Sequence, residues 1–228
     1  MAQQLILDLL PAPPPSLDNF VVGRNAAALD ALRHCEGGRA IYLWGPQGVG
    51  RSHLLHGACQ LMDGHYHDAP APATELHDLA TADTLAVRLV AVDDVQALDA
   101  HGQAALFALY NRWRESASTR HAFALVIAGD RAPMAMEVRE DLRTRLGWDL
   151  VFRLEQLSDD ERAQALHSRA AQRGLELSPE VISWLLTHHE RDMSRLTSLV
   201  DALDRYSLAR HRAITLPLLK DLLASHQP

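Results

Sequence analysis

At 228 residues, 47% apolar and 22% charged, the chain has room for one large domain, or for a domain of about 150 residues with a smaller appendage. Its formal charge of −7 argues against a domain whose main task is gripping duplex DNA, so any DNA contact is expected through protein partners. No apolar run approaches the roughly 18 residues of a membrane span, and Met1 to Leu10 lacks the positive start and cleavage site of a signal peptide, which together predict a cytoplasmic protein without membrane contact.

The chain opens on "QLILDLL", Gln4 to Leu10, followed by the proline-rich run Pro11 to Pro15. Proline cannot join a helix interior or a central strand, so this run predicts a stiff, extended spacer that holds the leading peptide away from the body. From Asn25 the pattern becomes regular. A short helix is expected over Asn25 to Arg33, a strand over "AIYLW", and a helix over Ser52 to Met62 with Leu54, Leu55, Ala58 and Leu61 on one face. Residues 63–82 are weakly periodic and alanine-rich, with a strand near Tyr66 and a helix from about Thr74. "LAVRLVAVDD" and "HAFALVIAGD" are apolar runs that each end in carboxylate, and between them Leu106, Leu109, Tyr110 and Trp113 recur at helical spacing. "DLVFRL", Asp149 to Leu154, is the last strand. Nearly continuous apolar strands alternating with helices predict an α/β domain with a parallel sheet covered on both faces.

Past residue 156 only helices are expected. Ser158 and Glu161 form a capping box, and Gly174 closes that helix. Ser178-Pro179 opens a second helix, with Val181, Ile182, Leu185 and Leu186 inward. A third runs from about Asp192 to Ala209, and a fourth follows Thr215. The chain thus divides into an extended peptide and spacer, 1–16, an α/β domain, 17–156, and a small all-α domain, 157–228.

Cys35 and Cys59 have no metal-ligand spacing and read as free thiols. Histidine pairs such as His65/His67 and His188/His189 lack a converging cysteine or carboxylate framework and read as solvated surface groups.

The chemistry centres on "GPQGVGRS", Gly45 to Ser52, a near match to the phosphate-cradling G-x-x-x-x-G-K-[ST] with Arg51 in place of lysine. Gly45, Gly48 and Gly50 let backbone N–H groups approach a phosphate at a helix N-terminus, with Val49 and His53 beside them. Ser52 supplies a hydroxyl for Mg²⁺. Arg51 keeps a positive charge on a wider, planar head, which favours retained nucleotide binding over fast hydrolysis. Asp93 and Asp94 end an apolar strand, where one carboxylate can hold the metal and its neighbour polarise water, though efficient ATPases carry the longer glutamate at the second position. Asp130 would end the adjacent strand and face the same phosphate.

Several stretches together resemble a family. "SLDNFVVGRNAAAL" and "LRTRLGWDL" are similar to signatures of the DnaA-type AAA+ domain, and "GRSHLLH", "LYNRW", "GDRAP", "SRAAQRG", "LSPEV" and "ALDRYSLA" resemble its Hda branch, the DnaA-homologous regulators of inactivation. The resemblance covers residues 17 to about 225. It implies an AAA+ P-loop domain with a five-stranded parallel sheet flanked by helices, then a helical lid, binding ADP or ATP with Mg²⁺. It further implies that Gln4, Leu5, Leu7 and Leu9 form a peptide for the β sliding clamp of DNA polymerase III. Arg145 would be an arginine finger offered in trans to ATP on the DnaA initiator, and the protein would be a replisome-associated negative regulator of replication initiation. Self-association is left open. Where the family places a sensor arginine on the third lid helix, this sequence has Ser194, with Arg195 displaced by one position and thus by about 100° around the helix. An autonomous ATPase of clamp-loader or helicase-loader type is the alternative.

Overall fold

A computed structural model describes residues 14–69, 71–82, 85–188 and 193–224. The chain divides into a unit covering Pro15–Gln156 and a unit that includes Leu157–Pro228.

The first unit is built on a sheet of order β2-β3-β4-β1-β5. Its strands are β1 (Ala40–Trp44), β2 (His65–Asp68), β3 (Leu89–Asp93), β4 (Ala124–Gly129) and β5 (Leu150–Arg153), all paired in parallel. Its helices are α1 (Ala26–Arg33), α2 (Arg51–Met62), α3 (Ala73–Thr81), α4 (Ala100–Ser116) and α5 (Glu140–Arg145). Side chains alternate across a pleated strand, so β4 serves two cores. Ala124, Val126 and Ala128 join Leu29, Leu32, Leu54, Leu55 and Ala58 of α1 and α2. Leu125 and Ile127 join Leu76, Leu106, Leu109, Tyr110 and Leu142 of α3, α4 and α5. Each fully buried leucine contributes about 1.5–3 kcal/mol of transfer free energy, which locks the three central strands in register.

The edges differ from the centre. β2 reads "HYHD", and β5 alternates half-buried with exposed residues, so the continuously apolar pattern expected of every strand holds only for β1, β3 and β4. In "LAVRLVAVDD" the strand begins at Leu89 rather than Leu85. Leu61, expected inward, is 57% exposed. Met62 is buried in its place, one step further round the helix. His67, expected at the surface, is fully buried. Alternation puts it on the inward face of an edge strand, under α3.

The thiols of Cys35 and Cys59 are free and buried. Burial pushes them up to about 11 and about 12 respectively.

The second unit contains α6 (Asp159–Gln172), α7 (Pro179–His188), α8 (Met193–Arg210) and α9 (Leu216–Ala224). Ser158 Oγ accepts from Glu161 N–H, and the Glu161 carboxylate accepts from Ser158 N–H, the reciprocal arrangement expected of a capping box. Gly174 ends α6 at φ +71, a value that costs glycine little. Leu166, Val181, Ile182, Leu185, Leu196, Val200, Leu203 and Leu219 form the core. Among the described residues, no helix is long and apolar enough to cross a membrane.

Candidate functional site

The loop between β1 and α2 starts beside β4, where Gly45 N–H donates to the Gly129 carbonyl at 3.3 Å. Gly48 and Gly50 have φ of 77 and 99, in the left-handed region that side chains disfavour. A Cβ on Gly45 would lie 2.8 Å from the Leu154 carbonyl oxygen, and one on Gly50 would lie 2.7 Å from the Phe20 ring. The glycines are therefore fixed by close approach as well as by backbone geometry. No side chain caps α2, so the N–H groups of its first turn are presented toward the loop, an arrangement suited to a phosphate. Val49 is buried beneath the loop and can offer only its backbone.

Arg51 lies 9% exposed at the start of α2. Its guanidinium donates to the Gly45 carbonyl at 3.1 Å and to Asp94 Oδ1 at 2.8 Å. The head thus closes the loop on itself and ties it to the end of β3. Leaving this position would strand a buried guanidinium, which is strongly unfavourable unless another anion replaces Asp94. A γ-phosphate could be that anion, but only by competing with a partner already in place. Asp94 has φ 47, a conformation that aspartate tolerates better than most side chains. It also accepts from Gln96 Nε2 at 2.7 Å, while Gln96 Oε1 accepts from Asp130 N–H at 3.1 Å. Gln96, which the sequence reading overlooked, therefore couples the ends of β3 and β4.

Asp93 is 1% exposed. One of its oxygens accepts from Asp94 N–H at 2.8 Å, and the other accepts from the Tyr66 hydroxyl at 2.9 Å. The Ser52 hydroxyl is also a hydrogen-bond partner of the Tyr66 oxygen, and burial, with Asp93 second, raises the phenol well above its ordinary range. Tyr66 stacks on His56 at 3.8 Å between centroids. A single phenol thus links Ser52 and Asp93, the two oxygen donors expected to hold Mg²⁺. Hard oxygen donors of this kind fit that ion, which when bound would neutralise phosphate charge. Tyr66 was missed because it acts from β2, far along the chain, and an aromatic residue in a short edge strand gives no motif.

The remaining predicted residues divide. The Asp130 carboxylate is held from two sides by Arg131, at 3.1 and 3.0 Å, and that pairing occupies the group expected to face phosphate. The His53 ring bonds to the Ser16 carbonyl at 2.9 Å, which places its side chain on the chain entering the domain. Burial lowers its proton affinity. Arg195 lies on α8 of the helical unit. Gln4, Leu5, Leu7 and Leu9 lie outside the described residues.

Arg145 ends α5 and packs on α4, apart from this network. It donates to Asn111 Oδ1 and to the Phe107 carbonyl. Its guanidinium carbon sits 3.6 Å from the Phe107 ring centroid and 5.0 Å from that of Trp148. Cation–π contact with two rings holds a flat charged head in one plane. Burial depresses its proton affinity from the usual arginine value. Arg114 also lies over Trp148 and Arg139 over Phe107, so this face of the domain gathers arginines around aromatic rings.

Residues 159–223 match the family model described as Hda, lid domain. Among solved structures, domain III of the Thermotoga maritima replication initiation protein DnaA aligns with a TM-score of 0.72 at 24% identity, covering 95% of this chain and 98% of that one. DnaA from Aquifex aeolicus bound to AMPPCP aligns at 0.65 and 24% identity, over 85% and 67% of the two chains. The Thermotoga maritima RuvB Holliday junction branch migration motor aligns at 0.66 and 16% identity, over 93% and 72%. These likenesses show the fold, a five-stranded parallel sheet flanked by helices and followed by a helical unit.

Proposed function

We propose that this Hda/DnaA-type AAA+ protein is a negative regulator of chromosomal replication initiation that holds ADP or ATP with Mg²⁺ as a conformational ligand and presents Arg145 to ATP bound on DnaA. The contrast between its two arginines carries the reading. Arg51 is folded into its own loop on Gly45 and Asp94. Arg145 is held on aromatic rings beside Trp148, which is 44% exposed. A loop whose cation already has a carboxylate partner is suited to holding a nucleotide rather than to rapid turnover. An arginine planted on rings and amide oxygen is positioned in advance for an anion brought by another molecule.

On docking, DnaA would carry the nucleotide. Water adds to the γ-phosphorus, the bond from that phosphorus to the bridging oxygen of ADP breaks, and phosphate leaves. Arg145 would donate to the oxygens on which charge accumulates, a contribution worth about 10³–10⁵-fold where such fingers have been removed in other systems. Recruitment would come from Gln4, Leu5, Leu7 and Leu9 binding the β sliding clamp, a glutamine anchor with leucines entering an apolar pocket. DNA would then be contacted only indirectly, in keeping with the net charge of −7, and the protein would work at the replisome in the nucleoid. Hydrolysis of ATP by DnaA, measured with and without clamp loaded on DNA, tests this reading. Acceleration that requires both this protein and the loaded clamp is expected, and is to disappear on Gln4→Ala with Leu7→Ala and Leu9→Ala.

The oxygen cluster of Ser52, Tyr66 and Asp93 favours a second reading, an autonomous ATPase. Turnover on its own loop at a working ATPase's rate, indifferent to clamp and DnaA, would select it.

A further inference from the structure

His65 and His67 are two residues apart on β2 and so share one face of the strand. Glu75 enters the same space from the first turn of α3. The His67 Nδ1 lies 3.2 Å from Glu75 Oε2, and the His65 Nε2 lies 3.8 Å from the same oxygen. One donor atom from each of the three residues falls within 4.8 Å of the others. The carboxylate that the sequence did not reveal therefore converges on this histidine pair.

Hydrogen bonding within the cluster leaves it incomplete. The 3.8 Å separation is too long for a hydrogen bond. The His65 Nε2, the atom that faces Glu75, is buried and has no hydrogen-bond partner. His67 presents its Nδ1 to the same carboxylate from a fully buried ring. Ligands around a tetrahedral Zn²⁺ with bonds of about 2.0–2.1 Å stand roughly 3.4 Å from one another. The two measured separations bracket that value.

We propose that His65, His67 and Glu75 form a binding site for a divalent transition metal of the zinc class, with a fourth position left to water. Two imidazoles and one carboxylate suit such an ion better than Mg²⁺ or Ca²⁺, which take oxygen donors. The ion would join edge strand β2 to the start of α3. It is distinct from any Mg²⁺ held through Ser52 and Asp93: Tyr66, which reaches that site, lies between the two histidines and so faces the opposite side of the sheet.

The test uses the full chain, free of any affinity tag and stripped with chelator. It is titrated with Zn²⁺ against a chromophoric competitor, and separately with Co²⁺ to read the visible bands of tetrahedral coordination. One equivalent of metal per chain is expected, with a rise in Tm. Glu75→Gln and His65→Asn, both at partly exposed positions, are to weaken binding by about tenfold or more and to abolish the rise in Tm. Melting of the metal-free variants close to that of the metal-free parent shows that they fold. The proposal is overturned if stoichiometric binding is absent, or if the folded variants bind as tightly as the parent, since the metal would then sit on other histidines.

Discussion

Tyr66, outside any motif, and His53, just past the glycine loop, show how much single side chains contribute around the site. Asp93 is enclosed, and one of its oxygens depends on the Tyr66 hydroxyl. Tyr66→Phe removes that donor and leaves a buried carboxylate oxygen unpaired, so the nucleotide-free protein should lose about 1–3 kcal/mol in urea unfolding. Added Mg²⁺ and ADP should recover part of the loss, because a cation would occupy the vacated side of Asp93. His53 makes a pH prediction. Burial, outweighing the bond to the Ser16 carbonyl, holds its folded value below the ordinary 6.5. The unfolded chain therefore binds the proton more readily, so this contribution to stability is complete above pH 6.5 and is lost as pH falls through that value toward the folded one. His53→Asn should flatten the slope of unfolding free energy against pH over that window. The loop glycines, Asp93 and Asp94 were legible in the sequence because they sit in consecutive motifs. Tyr66, Gln96 and Glu75 were not, because each acts on a residue of another element, Asp93, Asp130 and His67 respectively, that no spacing rule connects to it.

At the scale of elements, central strands announce themselves as apolar runs, while the edges β5 and β2 were legible as strands, "DLVFRL" and the stretch near Tyr66, but not in which face they bury. β3 and β4 are buried on both sides and read as unbroken apolar runs. β2 carries histidine and tyrosine in an apolar-poor strand, and its inward face is defined by α3, through contacts that no strand periodicity reveals. Leu61 and Met62 show the same limit, since a helical stripe read by period alone is uncertain by one residue at its end. One inter-element tie was invisible. Asn25, 4% exposed, donates through Nδ2 to the Glu155 carbonyl at 3.0 Å and accepts from Glu155 N–H at 2.8 Å. It thereby pins the start of α1 to the chain leaving β5. Asn25→Ala should cost about 1–2 kcal/mol, two hydrogen bonds to the partly exposed Glu155 backbone being lost at once. Thermal melting measures it, and Asn25→Asp should recover the bond that Glu155 N–H donates but not the one Nδ2 made.

At the scale of the whole molecule, the boundary at 156 was legible because the grammar changes there from alternating strands and helices to helices alone. The match of residues 159–223 to the Hda lid domain falls within the second unit. What the pattern of residues could not supply was the setting of each charge. Arg51 and Arg145 are both arginines near predicted site segments, yet one is committed to Asp94 and the other to Phe107, Asn111 and Trp148. The proposed division of labour rests on that difference. The most direct measurement is single-turnover hydrolysis of radiolabelled ATP on DnaA, with loaded clamp and either the parent protein or Arg145→Ala, clamp binding being checked in parallel. The account predicts that the variant binds the clamp as the parent does and leaves DnaA at its unstimulated rate. Stimulation by Arg145→Ala equal to that of the parent would contradict it.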